Sequence, residues 1–170
     1  MIFIRRRARI EGDTPCVPPD GSSVFTRKCL AIAKRYGLRM SVECFPYSMI
    51  STPHAMLQLL KDVDDPDFGI QLDTNHLIMQ HIDPEWTIYM LGGKRIFNVH
   101  CKDSDAVSRN NIPAGCGITD YPAVIQALKN VGYDGNLSVE LEFHVAGSLE
   151  LFEDHFVHLG ACFSKGCCDD

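Results

Sequence analysis

The sequence predicts an α/β fold, in which repeated strand–helix units lie on a parallel sheet. Short apolar-alternating runs recur four times, at Leu38–Glu43, Phe68–Asp73, Arg95–His100 and Leu137–Glu142. Between them lie segments of helical apolar spacing, and strands that alternate with such helices build parallel βα arrays. Each run also carries a group capable of chemistry at or near its end: Glu43, Asp73, His100 and Glu140.

Residues 1–23 read as an N-terminal arm and loop: an apolar start, the basic run Arg5-Arg6-Arg7 with Arg9, then Pro15, Pro18, Pro19 and Gly21. The basic run is expected to be solvated. From Val24 to Tyr36 the apolar positions Val24, Phe25, Leu30, Ile32 and Ala33 fit a helix, and Gly37 stands where a left-handed cap would end it. The first strand follows. Met56, Leu57, Leu59 and Leu60 make Pro53–Val63 a helix before the second strand. Asp83-Pro84 pairs an N-cap with a first-turn proline and opens a helix to about Leu91, which Gly92-Gly93 stops. The third strand leads into a loop with Pro113, Gly115 and Gly117; Asp120 then caps a helix through about Val131, and Gly132 ends it. After the fourth strand, Ser148–Leu159 makes a last helix. No linker interrupts the units, so residues 24–160 form one domain and residues 161–170 a tail.

Bulk properties exclude several classes. At 170 residues with 45% apolar content, the chain is long enough to bury a core. A net charge of −6 argues against a general nucleic-acid binder. The eight cysteines are scattered, with no CxxC pair, so neither a disulfide scaffold nor a cysteine-ligated structural zinc is expected; of them only Cys167-Cys168 looks exposed. No stretch approaches the ~18 apolar residues of a membrane span. Met1-Ile2-Phe3-Ile4 followed by arginines reverses the order of a secretory signal, so a cytoplasmic protein without a membrane partner is expected.

Residues two apart in a strand share a face. Ser41 precedes Glu43, Gln71 precedes Asp73, Asn98 precedes His100 and Ser138 precedes Glu140, with apolar Val42, Leu72, Val99 and Val139 between. One face of the sheet is therefore polar and ends in Glu43, Asp73, His100 and Glu140. Parallel strands end along one edge, where barrel enzymes build their sites. Three carboxylates and an imidazole gathered there repel one another unless a cation sits among them. These ligand types suit one divalent ion, Mn²⁺, Mg²⁺, Co²⁺ or Zn²⁺. His54, His81, His155 and His158 lack this placement.

The chain resembles the C-terminal half of the sugar phosphate isomerase/epimerase family, the xylose isomerase-like TIM barrels (AP endonuclease family 2), which include endonuclease IV-type repair enzymes. The likeness runs from about residue 24 to about 145. It rests on Gly37–Glu43, on Leu72-Asp73-Thr74-Asn75-His76 with Ile82-Asp83-Pro84, on Val99-His100-Cys101-Lys102-Asp103, and on Gly132–Glu140. The resemblance implies that Glu43, Asp73, His100 and Glu140 bind one divalent metal and that Glu43 and Glu140 are the acid/base pair. A proton alpha to the carbonyl of a sugar or sugar phosphate would be abstracted through an enediolate that the metal stabilises. His76 would contact a substrate oxygen or orient a ligand, and Lys102 would contact a hydroxyl or phosphate or stand solvated. Asp103 reads as loop structure, Gly115-Cys116-Gly117 as a turn, and Glu142 as a partner of Glu140 or a loop carboxylate.

A barrel of that family has eight βα units, and four are recognisable here, a partial TIM barrel. The expectation is either a truncated fragment or a homodimer that closes the ring. Two competing functions follow: an inactive fragment or paralogue, and an endonuclease IV-like phosphodiesterase. The latter needs an Asp-x-His pair in the loop after the third strand, and no histidine lies between His100 and Glu140. A lyase acting on a cyclic polyol would keep the same metal site.

Overall fold

A computed structural model describes residues 2–4, 19–46, 48–105, 107, 112 and 114–140. In chain order the elements are β1 (Ile2–Ile4), α1 (Pro19–Arg35), β2 (Met40–Glu43), α2 (Pro53–Val63), β3 (Phe68–Asp73), α3 (Thr74–Ile78), α4 (Pro84–Leu91), β4 (Ile96–Cys101), α5 (Tyr121–Asn130) and β5 (Asn136–Val139). The five strands form one sheet in the order β1-β2-β3-β4-β5, and every neighbouring pair is parallel. This is an arc of a barrel, with all strand C-termini at one rim.

Local chemistry explains where the helices start and stop. Thr52 caps α2 by accepting from the Ala55 amide, Asp83 caps α4 by accepting from Glu85 and Trp86, and Asp120 caps α5 by accepting from Ala123. Gly37, at φ 66°, donates to the Lys34 carbonyl while Leu38 donates to Ala33, closing α1. The core lies between helices and sheet. Phe68, Ile70 and Leu72 of β3 are fully buried against Met56, Leu59, Leu60 and Ile88, and the cluster continues through Val99 to Val124 and Leu128.

One irregularity decides which side chains share a face. Ile70 pairs with Ile96, but the next pair is Gln71 with Asn98, so β4 holds one residue more than β3 at this point. A bulge of this kind shifts the alternation by one. Below it Ile96 sits with Ile70; above it Val99 sits with Leu72, and Asn98 and His100 join Gln71 and Asp73. The extra residue, Phe97, places its ring over Gly69, with the Arg39 guanidinium 3.6 Å from the ring centre.

Several expectations change. Ile2–Ile4 is a fifth strand rather than part of an arm, because its backbone extends the sheet beside β2. The first helix starts at Pro19, five residues before Val24. Thr74–Ile78 is one short helix capped by Asp73. β5 ends at Val139, leaving Glu140 just past it. The last helix at Ser148–Leu159, Glu142 and the tail lie outside the described residues. Cys44 and Cys101 are buried free thiols as expected, but Cys116 is exposed. No described helix is long and apolar enough to cross a membrane.

A Cβ at Gly69 would lie 2.5 Å from the Phe97 ring. Gly69→Ala is therefore expected to destabilise the fold by about 1–3 kcal/mol. Phe97→Leu in the same chain should recover part of that loss, and strict additivity in denaturant melts would refute the contact.

Candidate metal centre

Four strand ends supply the site. Asp73 closes β3 and caps α3, its Oδ1 accepting from the His76 amide at 3.0 Å. Its Oδ2 is buried and makes no hydrogen bond among the described residues. His100, beside Asp73 in the ladder, turns Nδ1 toward all three carboxylates: 3.2 Å from Glu140 Oε2, 3.6 Å from Glu43 Oε1 and 3.9 Å from Asp73 Oδ2. Glu140 follows β5, and its amide donates to the Cys101 carbonyl at 3.3 Å, which ties it to β4. One ligand atom from each of Glu43, Asp73, His100 and Glu140 lies within 4.8 Å of the others. An ion bonded at about 2.0–2.2 Å holds its ligand atoms at most about 4.4 Å apart. Three carboxylate oxygens and one imidazole nitrogen brought this close make a donor set that fits a divalent ion.

Electrostatics point the same way. Burial pushes the Asp73 carboxyl up to about 8, opposed by the His76 amide and by Lys102. Burial alone would lower His100, but the nearby carboxylates of Glu140 and Glu43 outweigh it and raise the imidazole to about 9. The same His100 contact holds Glu140 well below the usual carboxylate range. Protons on His100 and Asp73 thus occupy the electrostatic place of a cation.

His76 is buried next to this group but outside it. Its Nδ1 lies 2.9 Å from the Cys44 carbonyl, which can only accept, so Nδ1 carries the proton. Burial lowers its pKa, leaving a neutral ring whose Nε2 is an acceptor. Phe45 packs edge-on at 4.9 Å and fixes the ring plane. Lys102 is 2% exposed, not solvated, and its Nζ lies 3.6 Å from Glu140 Oε2.

Asp103 is loop structure of a demanding kind. Its buried carboxylate accepts from the amides of Ser104, Gly115, Gly117 and Thr119 and from the Thr119 hydroxyl. A Cβ on Gly117 would overlap that carboxylate, which accounts for the glycine. The amides of Gly115 and Gly117 are therefore turned to the chain's own anion rather than to a phosphate. Sequence spacing singled out neither Thr74 nor Tyr121, whose buried hydroxyls meet the Lys102 backbone beside the site; a threonine directly after a ligand was the one available signal.

The xylose isomerase-like TIM barrel family model matches residues 25–156, and the chain belongs to that family. An inosose isomerase of Bacillus subtilis is 26% identical over 118 residues, covering 65% of this chain and 42% of its own length. An L-ribulose-5-phosphate 3-epimerase of Salmonella paratyphi A is 24% identical over 129 residues, covering 76% and 44%. The chain thus spans less than half the length of these relatives. Among solved structures, an L-ribulose 3-epimerase superposes with a TM-score of 0.77 at 20% identity, covering 94% of this chain and 58% of that one. The IOLI protein with a bound zinc atom gives 0.69 at 22% identity, covering 87% and 55%. Both likenesses concern the fold.

A metal must displace the protons on Asp73 and His100. Calorimetry in buffers of different ionisation enthalpy is expected to show release of about two protons per Co²⁺ near pH 7. Affinity should climb with pH and level off above about 9. Because both folded pKa values are raised, their contribution to metal-free stability is fully present below the ordinary values of 3.8 for Asp73 and 6.5 for His100 and is lost progressively as pH rises from there to about 8 and about 9. The metal-free Tm should fall over that interval while the metal-loaded Tm does not; pH-independent binding without proton release would contradict this charge assignment.

Proposed function

We propose that this chain carries the metal site and acid/base pair of a divalent-metal-dependent sugar or sugar phosphate isomerase/epimerase. The observation that carries the proposal is the ring of Glu43, Asp73 and Glu140 around His100, with two of the carboxylates coming from well-separated strands, β2 and β5. The divalent ion, when bound, polarises the substrate carbonyl and acidifies the neighbouring C–H. One of Glu43 and Glu140 takes that proton and the other returns one from the opposite side, giving epimerisation or carbonyl migration.

The flanking groups orient the sugar. His76 presents Nε2 as an acceptor for a hydroxyl, since its Nδ1 is committed to Cys44. Lys102 donates to a substrate oxygen near Glu140. The described sheet is an arc with β1 at its edge, and we propose that a second copy adds there to close the ring around the substrate. The protein acts in the cytoplasm on small molecules, without nucleic acid or membrane.

Incubation of the metal-loaded protein with ketoses and ketose phosphates in D₂O is expected to place deuterium at the carbon next to the carbonyl. Glu43→Gln and Glu140→Gln should each slow this exchange by about 10²-fold or more, and a chelator should abolish it. Exchange should co-elute with a dimer on size exclusion. A metal-loaded protein that exchanges no carbon-bound proton with any member of the panel would leave the inactive paralogue as the better description.

A further inference from the structure

The β3–β4 ladder ends at the pair Asp73 and His100, where β3 turns into α3. β4 nevertheless continues as an ordered backbone through Lys102 and Asp103, both buried. On the side facing β3, the Lys102 amide and carbonyl have lost their ladder partners, and buried backbone groups need replacements. Thr74 supplies them. Its hydroxyl donates to the Lys102 carbonyl at 2.8 Å, accepts from the Lys102 amide at 3.3 Å, and lies 3.3 Å from the His100 carbonyl. Tyr121, the first residue of α5, brings its hydroxyl to 3.0 Å from that of Thr74 and 3.1 Å from the Lys102 carbonyl. One proton from each hydroxyl satisfies this junction: Thr74 donates to Lys102, and Tyr121 donates to Thr74 or Lys102.

We propose that Thr74 and Tyr121 are positioning residues of the metal centre. Their hydroxyls extend the ladder one step, and so hold the His100 imidazole and the Lys102 ammonium against Glu140. Thr74 follows Asp73 directly, so the same residue locks the ends of two ligand-bearing strands to each other. Tyr121 adds the start of α5, and the Asp103 carboxylate fixes the chain immediately beyond. This inference rests on the metal assignment made above. Its substance is that two groups which touch neither ion nor substrate set the ligand geometry through backbone atoms.

The test is a Co²⁺ titration followed by visible absorption, which reads ligand geometry as well as affinity. Thr74→Val removes the hydroxyl at nearly constant shape, and Thr74→Ser restores it. Thr74→Val is expected to weaken Co²⁺ binding about 10-fold or more and to shift the absorption bands, the range seen when groups that orient ligands are lost. Thr74→Ser should match the native protein within about twofold. Val63→Ala, in the core away from the site, controls for general loss of stability: it should lower Tm yet leave affinity and spectrum unchanged. If Thr74→Val does not fold, Tyr121→Phe carries the same test, with a several-fold loss expected. Native Co²⁺ affinity and bands in the folded Thr or Tyr variant, or an equal loss in Val63→Ala, would overturn the positioning role while the metal assignment stands. A native protein that binds no Co²⁺ would overturn both.

Discussion

Three carboxylates held around one imidazole cannot all stay ionised in a buried site without a compensating cation. Much of the geometry at the rim answers that constraint. His100 takes up a proton and draws Glu140 down, Asp73 is pushed toward its neutral form, and the Lys102 ammonium is buried beside Glu140. A divalent ion does the same work with one charge centre. The cost of assembling the acidic groups is thus the physical reason that the proposed site would take a metal, and it would tie metal binding to proton release.

The scaffold supplies the positions at which this charge problem arises. Parallel strands aim their last residues at one rim, but strands must also agree on which face is inward. Between β3 and β4 that agreement depends on the bulge at Phe97, with Gly69 leaving room for the ring. Had the pairing continued in regular register from Ile70 and Ile96, with Phe97 opposite Gln71, His100 would fall on the face of Leu72, among the apolar side chains. A packing detail at the foot of the strand therefore decides the chemistry at its top.

Beyond the strand ends, side chains finish what backbone pairing cannot. Thr74 and Tyr121 take over where the ladder stops, and Asp103 gathers four amides and a hydroxyl in the loop after β4. The glycine pair at Gly115 and Gly117 shows how the same local sequence allows different uses. Turned outward, its amides would suit a phosphate; here they hold an internal carboxylate. The choice depends on Asp103 lying within reach, which its distance along the chain does not reveal.

Much of this molecule was legible in its sequence because it is local. Alternation within each strand named Glu43, Asp73, His100 and Glu140, and caps such as Asp83, Asp120 and Gly37 marked helix ends, since these signals act over a few residues. Ile2–Ile4 was read as an arm because three residues carry too little periodicity; only pairing with β2 makes them a strand. Likewise the neutral tautomer of His76, the burial of Lys102, the bulge at Phe97 and the Thr74–Tyr121 junction follow from contacts between residues far apart in the chain. The sequence by itself determined which groups stand at the strand ends. Tertiary structure alone decided that they face one another, because register between strands is set by packing across the sheet and not by the order of residues within a strand.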